Sequence, residues 1–316
     1  MQLLSVVIPI KDEEKALPPL FEALDEEFRL LESLSVEFVL VDDGSADDSW
    51  NLMLARQKRD SRYHLIRLSR NFGHQAALTA GLEHARGDAV AVMDADLQDP
   101  VSVVIEMARL WQQGHDVVYG QRRSRAGENW FKVSSARLFY WLMRRLSQDP
   151  TPENVGDFYL LSRRALERLL AMREHHRYLR GMVFWLGYPR TGVLYTRDPR
   201  RAGRTKFNVK RMVFFAFDGI LSSSKVPLHI ASYLGFFCAF IGALLAVAAV
   251  IVRLFNPQAV LGWASTVLII LFLGGVQLTT IGILGLYVAR IYDETKGRPL
   301  YIVQEDRCDR AEESKP

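Results

Sequence analysis

A chain of 316 residues with 49% apolar content and a formal net charge of +4 has enough material to bury the core of one large domain or two ordinary ones. Its two cysteines, Cys238 inside an apolar run and Cys308 near the end, exclude a disulfide framework and a thiolate metal site. Basic residues cluster at Arg122, Arg123 and Arg125, and again from Arg197 through Lys210 and Arg211. Beside an apolar segment such patches suit anionic lipid or a phosphorylated substrate, and no nucleic acid partner is expected.

The first residues lack a positive n-region and meet Lys11-Asp-Glu-Glu too soon for a signal peptide, so Leu4 to Ile10 reads as a first strand. Short apolar, β-branched runs then alternate with amphipathic stretches. Pro18 to Glu32 is expected as a helix, Glu37 to Val41 as a strand and Asp47 to Asp60 as a helix. The series continues through His64 to Leu68, Ala76 to Ala85, Ala89 to Asp94, Val101 to Gln113 and Val117 to Tyr119. Continuous apolar strands separated by helices predict an α/β domain, a doubly wound and mostly parallel or mixed sheet covered on both faces. Ligands bind such sheets outside the carboxyl ends of the strands.

Further on, Trp130 to Leu146 mixes aromatics with Lys132, Arg137, Arg144 and Arg145. It reads either as a core helix with a basic solvated face or as a helix in the membrane interface. Asn208 to Lys225 poses the same choice, and its position favours the interface. Leu228 to Val252 and Trp263 to Ala289 are each apolar over a length that can cross a bilayer of about 30 Å, which predicts a C-terminal two-helix transmembrane hairpin. Lys210, Arg211 and Lys225 precede the first span and Arg290, Lys296 and Arg298 follow the second, whereas the connector carries one basic residue, Arg253. The bias places both flanks in the cytoplasm. Four segments are expected: a catalytic domain over 1–206, a juxtamembrane segment over 207–227, two spans over 228–290 and a cytoplasmic tail over 291–316. Small residues at Ala239, Gly242, Gly274, Gly275, Gly282 and Gly285 allow close helix contacts within or between chains, so a homo-oligomer is open. The charged end from Asp306 is expected to be disordered.

The chemistry centres on Val92-Met-Asp-Ala-Asp-Leu-Gln-Asp-Pro, a strand end that delivers Asp94 and Asp96 one residue apart, followed by the amide of Gln98. Hard oxygen ligands suit Mg²⁺ or Mn²⁺, which would bridge a diphosphate. An Asp-x-Asp pair alone is common; an apolar strand that ends in it gives it context. Two other strand ends carry acids: Pro9-Ile-Lys-Asp-Glu13, and Asp42-Asp-Gly-Ser45, which could equally cap the next helix.

Together these motifs resemble family 2 glycosyltransferases of the GT-A fold, with Asp12 where Asn is usual and Lys11 where an aromatic often stands. The likeness extends to the polyprenyl-phosphate branch, dolichol-phosphate mannose synthases and bactoprenol glucosyltransferases among them. It is carried by Asn71-Phe-Gly-His-Gln-Ala-Ala-Leu, Asp94-Ala-Asp-Leu-Gln-Asp-Pro, Gly120-Gln-Arg-Arg, Gly156-Asp-Phe and Arg201-Ala-Gly-Arg-Thr-Lys-Phe. The resemblance implies a metal-dependent, inverting enzyme that moves a hexose from a UDP-sugar to a polyprenyl phosphate. Glucose is the first guess. UDP-aminoarabinose, UDP-N-acetylhexosamine and GDP-mannose stay open as donors. It also implies roles: Pro9, Glu13 and Asp42 on the uridine, Asp94 on ribose or metal, and Asp96 and Gln98 on the metal. Arg122, with Lys132 and Arg204 as further candidates, would hold the acceptor phosphate, Lys206 would close over the diphosphate, and Asp157 is the candidate base. Because a lipid phosphate is already anionic at neutral pH, Asp157 could orient instead, bind a sugar hydroxyl or be structural. His74, His175 and His176 are expected to stay outside the chemistry. The implied location is a bacterial inner membrane, multi-pass, with the catalytic domain and both termini cytoplasmic. A processive polysaccharide synthase is disfavoured, since no Gln-x-x-Arg-Trp motif occurs. A non-catalytic membrane scaffold is disfavoured by the intact carboxylates.

Overall fold

In the run Val6-Val7-Ile8 successive side chains point to opposite faces of a strand, so an unbroken apolar stretch is stable only where both faces are covered. The computed structural model, which describes residues 1–29, 34–123, 151–152, 154–197, 226–255 and 263–308, places this run at the centre of an eight-stranded sheet. The strands are β1 (Gln2–Ile10), β2 (Leu34–Asp42), β3 (Tyr63–Leu68), β4 (Ala89–Val92), β5 (Val117–Arg122), β6 (Val155–Ser162), β7 (Arg190–Tyr195) and β8 (Val303–Asp306). Their order is β7-β5-β6-β4-β1-β2-β3-β8. The β1/β2, β1/β4, β2/β3 and β5/β7 pairs are parallel, while β6 runs antiparallel to β4 and β5, and β8 antiparallel to β3. The sheet is therefore mixed.

Leu4, Val6, Ile8 and Ile10 face one core, filled by helices α1 (Leu17–Phe28), α2 (Ser49–Arg59) and α4 (Val101–Gln112). Val7, Val39, Val41, Val90 and Val92 face the other, filled by α3 (His74–His84), α5 (Arg163–Ala171) and α6 (Leu179–Trp185). Local signals explain several boundaries. Proline stands in the first turn of α1, where no N–H partner is lost, and the Ser162 hydroxyl accepts the Ala165 N–H at the start of α5.

The chain divides into two units, Met1–Asn208 with Arg298–Pro316, and Val209–Gly297. The second unit holds α7 (Val226–Phe255) and α8 (Trp263–Lys296), which contact each other. Phe236, Phe237, Phe240, Ile270, Phe272 and Leu278 stand exposed along these helices, an apolar surface of the kind that marks a lipid or protein contact. Among the described residues one stretch, Phe272–Lys296, is long and apolar enough to cross a membrane, and Ala231–Leu245 is a shorter apolar stretch. After α8 the chain returns to the first unit as β8, a strand that sequence analysis did not anticipate. Lys132, Arg204 and Lys206, both amphipathic basic stretches up to Lys225, and residues 309–316 of the tail lie outside the described residues.

Candidate functional site at the strand ends

The carboxyl ends of β1, β2, β3, β4, β5 and β7 share one edge of the sheet, and β6 begins there because it is antiparallel. The turns after β1 and β2 are laced together. Asp12 sits in the left-handed region at φ 55°; its N–H donates to Ser45 Oγ at 3.0 Å, and its Oδ1 accepts the Ala46 N–H at 2.8 Å. Glu13 N–H donates to Ser49 Oγ at 2.9 Å, Lys11 Nζ donates to the Gly44 carbonyl, and Pro9 pairs in register with Val41 on β2. Asp42 is fully buried, accepts the Ser45 N–H at 2.9 Å and lies 3.2 Å from Arg67 Nε. Its carboxylate shapes the turn. Asp43 accepts the N–H groups of Phe72 and Gly73 at 2.7 and 3.0 Å, tying this turn to the start of α3. Burial nevertheless raises its pKa above the usual carboxylate range.

Gly44 has φ +65°, and a Cβ there would stand 2.6 Å from the Arg70 carbonyl carbon and 2.8 Å from the Asn71 nitrogen. Gly44→Ala combines left-handed strain with a backbone clash. The expected loss is roughly 2–4 kcal/mol of stability, read as a lower Tm in detergent; an unchanged Tm would contradict the close approach.

At the end of β4, Leu97 takes φ 54° and turns the chain so that the Gln98 N–H donates to Asp96 Oδ1 at 3.1 Å. A non-glycine residue held there is costly, and such positions cluster at functional sites. Asp94 is half-buried, and its Oδ1 lies 3.1 Å from His74 Nε2. Burial opposes its charge, but the His74 hydrogen bond and the nearby charges of His74, Arg197 and Arg122 hold its pKa below the usual range. His74 is the counterpart: burial opposes its charge, yet Asp94 and Asp157 together raise its pKa.

His74 Nδ1 lies 3.9 Å from Asp157 Oδ2. Asp157, the third residue of β6, also receives the Gln75 Nε2 donor on Oδ2 at 3.1 Å and faces Arg180 Nε from Oδ1 at 3.3 Å. Gln75 Oε1 in turn accepts the Leu179 N–H at 2.9 Å. Two side chains from the first turn of α3 and one from α6 thus fix the Asp157 carboxylate.

Arg122 ends β5. Its Nε donates to the Tyr195 hydroxyl at 3.1 Å, and that hydroxyl donates to Asp99 Oδ1. Gly156 stands opposite, and a Cβ there would lie 2.7 Å from Arg122 Nη2, so a larger residue would push the guanidinium aside.

Asp94, Asp157 and Arg122, expected from sequence to share a site, stand at one sheet edge: His74 bridges Asp94 and Asp157, with Gln75 and Arg180 also on Asp157, while Arg122 is held separately by Tyr195 and Asp99. His74, which sequence analysis set aside, stands between the two carboxylates. A divalent cation fits the donor chemistry of Asp94 and Asp96. Among the described residues no group of three His, Cys, Asp or Glu side chains could hold an ion alone. The pair therefore suits a cation that completes its oxygen shell from phosphate and water, as Mg²⁺ commonly does.

Against known proteins, the family model described as Glycosyl transferase family 2 matches residues 5–170. The uncharacterized glycosyltransferase YkcC of Bacillus subtilis (strain 168) is 39% identical over 300 residues, covering 95% of this chain and 93% of that protein. The bactoprenol glucosyl transferase of Shigella phage SfV is 39% identical over 304 residues, covering 96% and 99%. Among solved structures, glucosyl-3-phosphoglycerate synthase from Mycobacterium tuberculosis, in complex with Mn²⁺, UDP and glucosyl-3-phosphoglycerate, is 19% identical with a TM-score of 0.45, covering 70% of this chain and 78% of that one.

Proposed function

Because the chain belongs to glycosyl transferase family 2, we propose that it transfers a hexose, glucose as the first choice, from a UDP-sugar to undecaprenyl or another polyprenyl phosphate. The observation that carries this reading is the convergence of Asp94, Asp157 and Arg122 on one strand-end edge. The acceptor class rests on the relatives named bactoprenol glucosyl transferase, which match along nearly the whole chain.

The reaction is a single displacement. An oxygen of the lipid phosphate attacks C1 of the sugar, the bond from C1 to the diphosphate breaks, and UDP departs with the electron pair, inverting C1. Pro9, Glu13 and Asp42 belong to the two laced turns that would receive the uridine. Asp94 and Asp96, with Gln98 beside them, would hold Mg²⁺ or Mn²⁺, which supplies positive charge to the departing diphosphate. Asp94 is preset for this by its contact with His74, which helps hold its pKa below the usual range. Arg122 presents a planar fork suited to phosphate oxygens, and Lys132, Arg204 and Lys206 are proposed to join it from segments outside the described residues. Asp157, gripped by Gln75 and Arg180, orients the acceptor or a sugar hydroxyl. Positioning and preorganised charge then supply most of the catalysis.

The reading includes a two-span hairpin in a bacterial inner membrane with the catalytic unit in the cytoplasm. Connectivity supports it. The chain leaves the first unit at Asn208 and rejoins it at Arg298, so a crossing by α8 needs a return crossing, and α7 is the long helix available.

The test is a donor screen: membranes containing the protein, undecaprenyl phosphate and a panel of UDP- and GDP-sugars, with the lipid product read by mass spectrometry. A lipid-phosphate hexose from one UDP-sugar, lost in EDTA and restored by Mg²⁺ or Mn²⁺, is the expected result. Failure of every donor to yield a lipid-linked sugar would overturn the reading.

A further inference from the structure

Asp99, three residues beyond Asp96, is 1% exposed and buried at the start of α4, where a lone carboxylate would be costly. Its partners come from the ends of two other strands. The Tyr195 hydroxyl donates to Oδ1, Arg122 Nη2 lies 3.8 Å from Oδ2, and Arg197 Nε lies 3.5 Å from Oδ1. Tyr195 is locked in turn: its ring meets Phe158 edge-on at 5.4 Å between centroids, and its carbonyl accepts the Arg123 N–H at 2.9 Å. Two guanidinium groups thus share one buried carboxylate. Each arginine side chain keeps about three-tenths of its surface in solvent, 30% for Arg122 and 29% for Arg197, so both are anchored and both can meet a ligand. Asp99 directly follows Gln98 in the loop after β4, which puts the pair it holds at the same strand end as the carboxylates proposed to serve the diphosphate.

We propose that Arg122 and Arg197 form a two-armed clamp for the acceptor's phosphate monoester, and that Asp99 and Tyr195 are its positioning residues. The geometry favours a phosphate because two preset guanidinium groups can bind several oxygens of one anion, and arginine matches such oxygens better than lysine. Gly156 leaves room for the first arm, and the end of β7 delivers the second. This inference rests on the assignment of Arg122 to the acceptor phosphate.

The test uses the full-length protein in detergent with a UDP-sugar donor and a short-chain polyprenyl phosphate, comparing wild type with Arg122→Ala, Arg197→Ala, Arg197→Lys and Tyr195→Phe. KM is measured for each substrate separately, with Tm to check folding. Arg197→Ala is expected to raise the acceptor KM by about tenfold or more while donor KM stays within about twofold, the loss of one charge-assisted contact. Arg197→Lys should recover part of it. Tyr195→Phe, which removes the oxygen that holds Arg122 and leaves the ring in place, should shift the acceptor KM in the same direction. If Arg122→Ala raises the acceptor KM and Arg197→Ala does not, the clamp is overturned while the assignment of Arg122 stands. If neither moves it, or if Arg197→Ala acts on donor KM instead, the clamp fails; in the first of these cases the Arg122 assignment fails with it.

Discussion

Asp96→Ala is expected to lower sugar transfer by about 10³-fold or more, a loss of about 4 kcal/mol of transition-state stabilisation. Departure of a nucleoside diphosphate develops charge on phosphate oxygens, and in the proposed mechanism a cation held by Asp94 and Asp96 would counter it. The unusual backbone at Leu97 brings the Gln98 N–H onto Asp96 Oδ1, which restrains that carboxylate. Alanine removes one of the two carboxylates, and among the described residues no third His, Cys, Asp or Glu side chain completes the set, so residual binding through Asp94 and Gln98 is expected to be weak. The measurement is transfer of a radiolabelled sugar to polyprenyl phosphate across a titration of Mg²⁺ and Mn²⁺. Wild-type transfer by the variant at ordinary metal concentration would remove the metal assignment.

Asp157→Ala is expected to cost about 10²-fold in kcat, and Asp157→Asn no more than about tenfold. The difference follows from the site. A phosphate oxygen already carries negative charge and needs no proton removed, so Asp157 is required for shape and hydrogen bonding more than for basicity. Alanine leaves Gln75 Nε2 and Arg180 without the oxygens they meet at 3.1 and 3.3 Å, and donors stranded in a half-buried site reorganise. Asparagine keeps one acceptor oxygen and the planar outline. Measured at saturating donor and acceptor, equal losses in the two variants would make Asp157 a proton acceptor instead.

The elements legible in the sequence were those whose physics is local. β1 to β5 announce themselves through unbroken apolar runs, such as Phe38 to Val41, that only a doubly covered sheet can bury, and the helices between them appeared within a few residues of their expected ends. β6 was not expected either, although Phe158 to Leu161 is an apolar run; β7 and β8 escaped notice for the opposite reason. Arg190-Thr-Gly-Val-Leu-Tyr and Val303-Gln-Glu-Asp have too few apolar residues to mark a strand, and they exist as strands because distant partners, β5 and β3, supply their hydrogen bonds. The site divides in the same way. Asp94 and Asp96 stand in a strand-end motif that the residues themselves display, and Asp157 was reached through the resemblance carried by Gly156-Asp-Phe. His74 and Gln75 lie in the motif from Asn71 to Leu78 and Arg180 and Tyr195 in none, but the roles of all four come from the reversal of β6 and from packing on the sheet, which bring residues 74, 94, 157 and 180 within reach of one another. A histidine at a helix start has many uses; only the 3.1 and 3.9 Å separations from two carboxylates narrow them.

Because β8 lies beside β3 and the Tyr301 hydroxyl donates to Glu83 on α3, Val209–Gly297 is an insertion within the catalytic unit and not a terminal appendage. Trimming the protein after Asn208 would remove the outer strand, strip β3 of its neighbour and leave a bare edge prone to aggregation. A water-soluble enzyme is better sought by excision, splicing residues near 208 to those near 298 through a flexible linker, so that the last strand is retained. The same wiring joins both ends of the helical segment to one folded body.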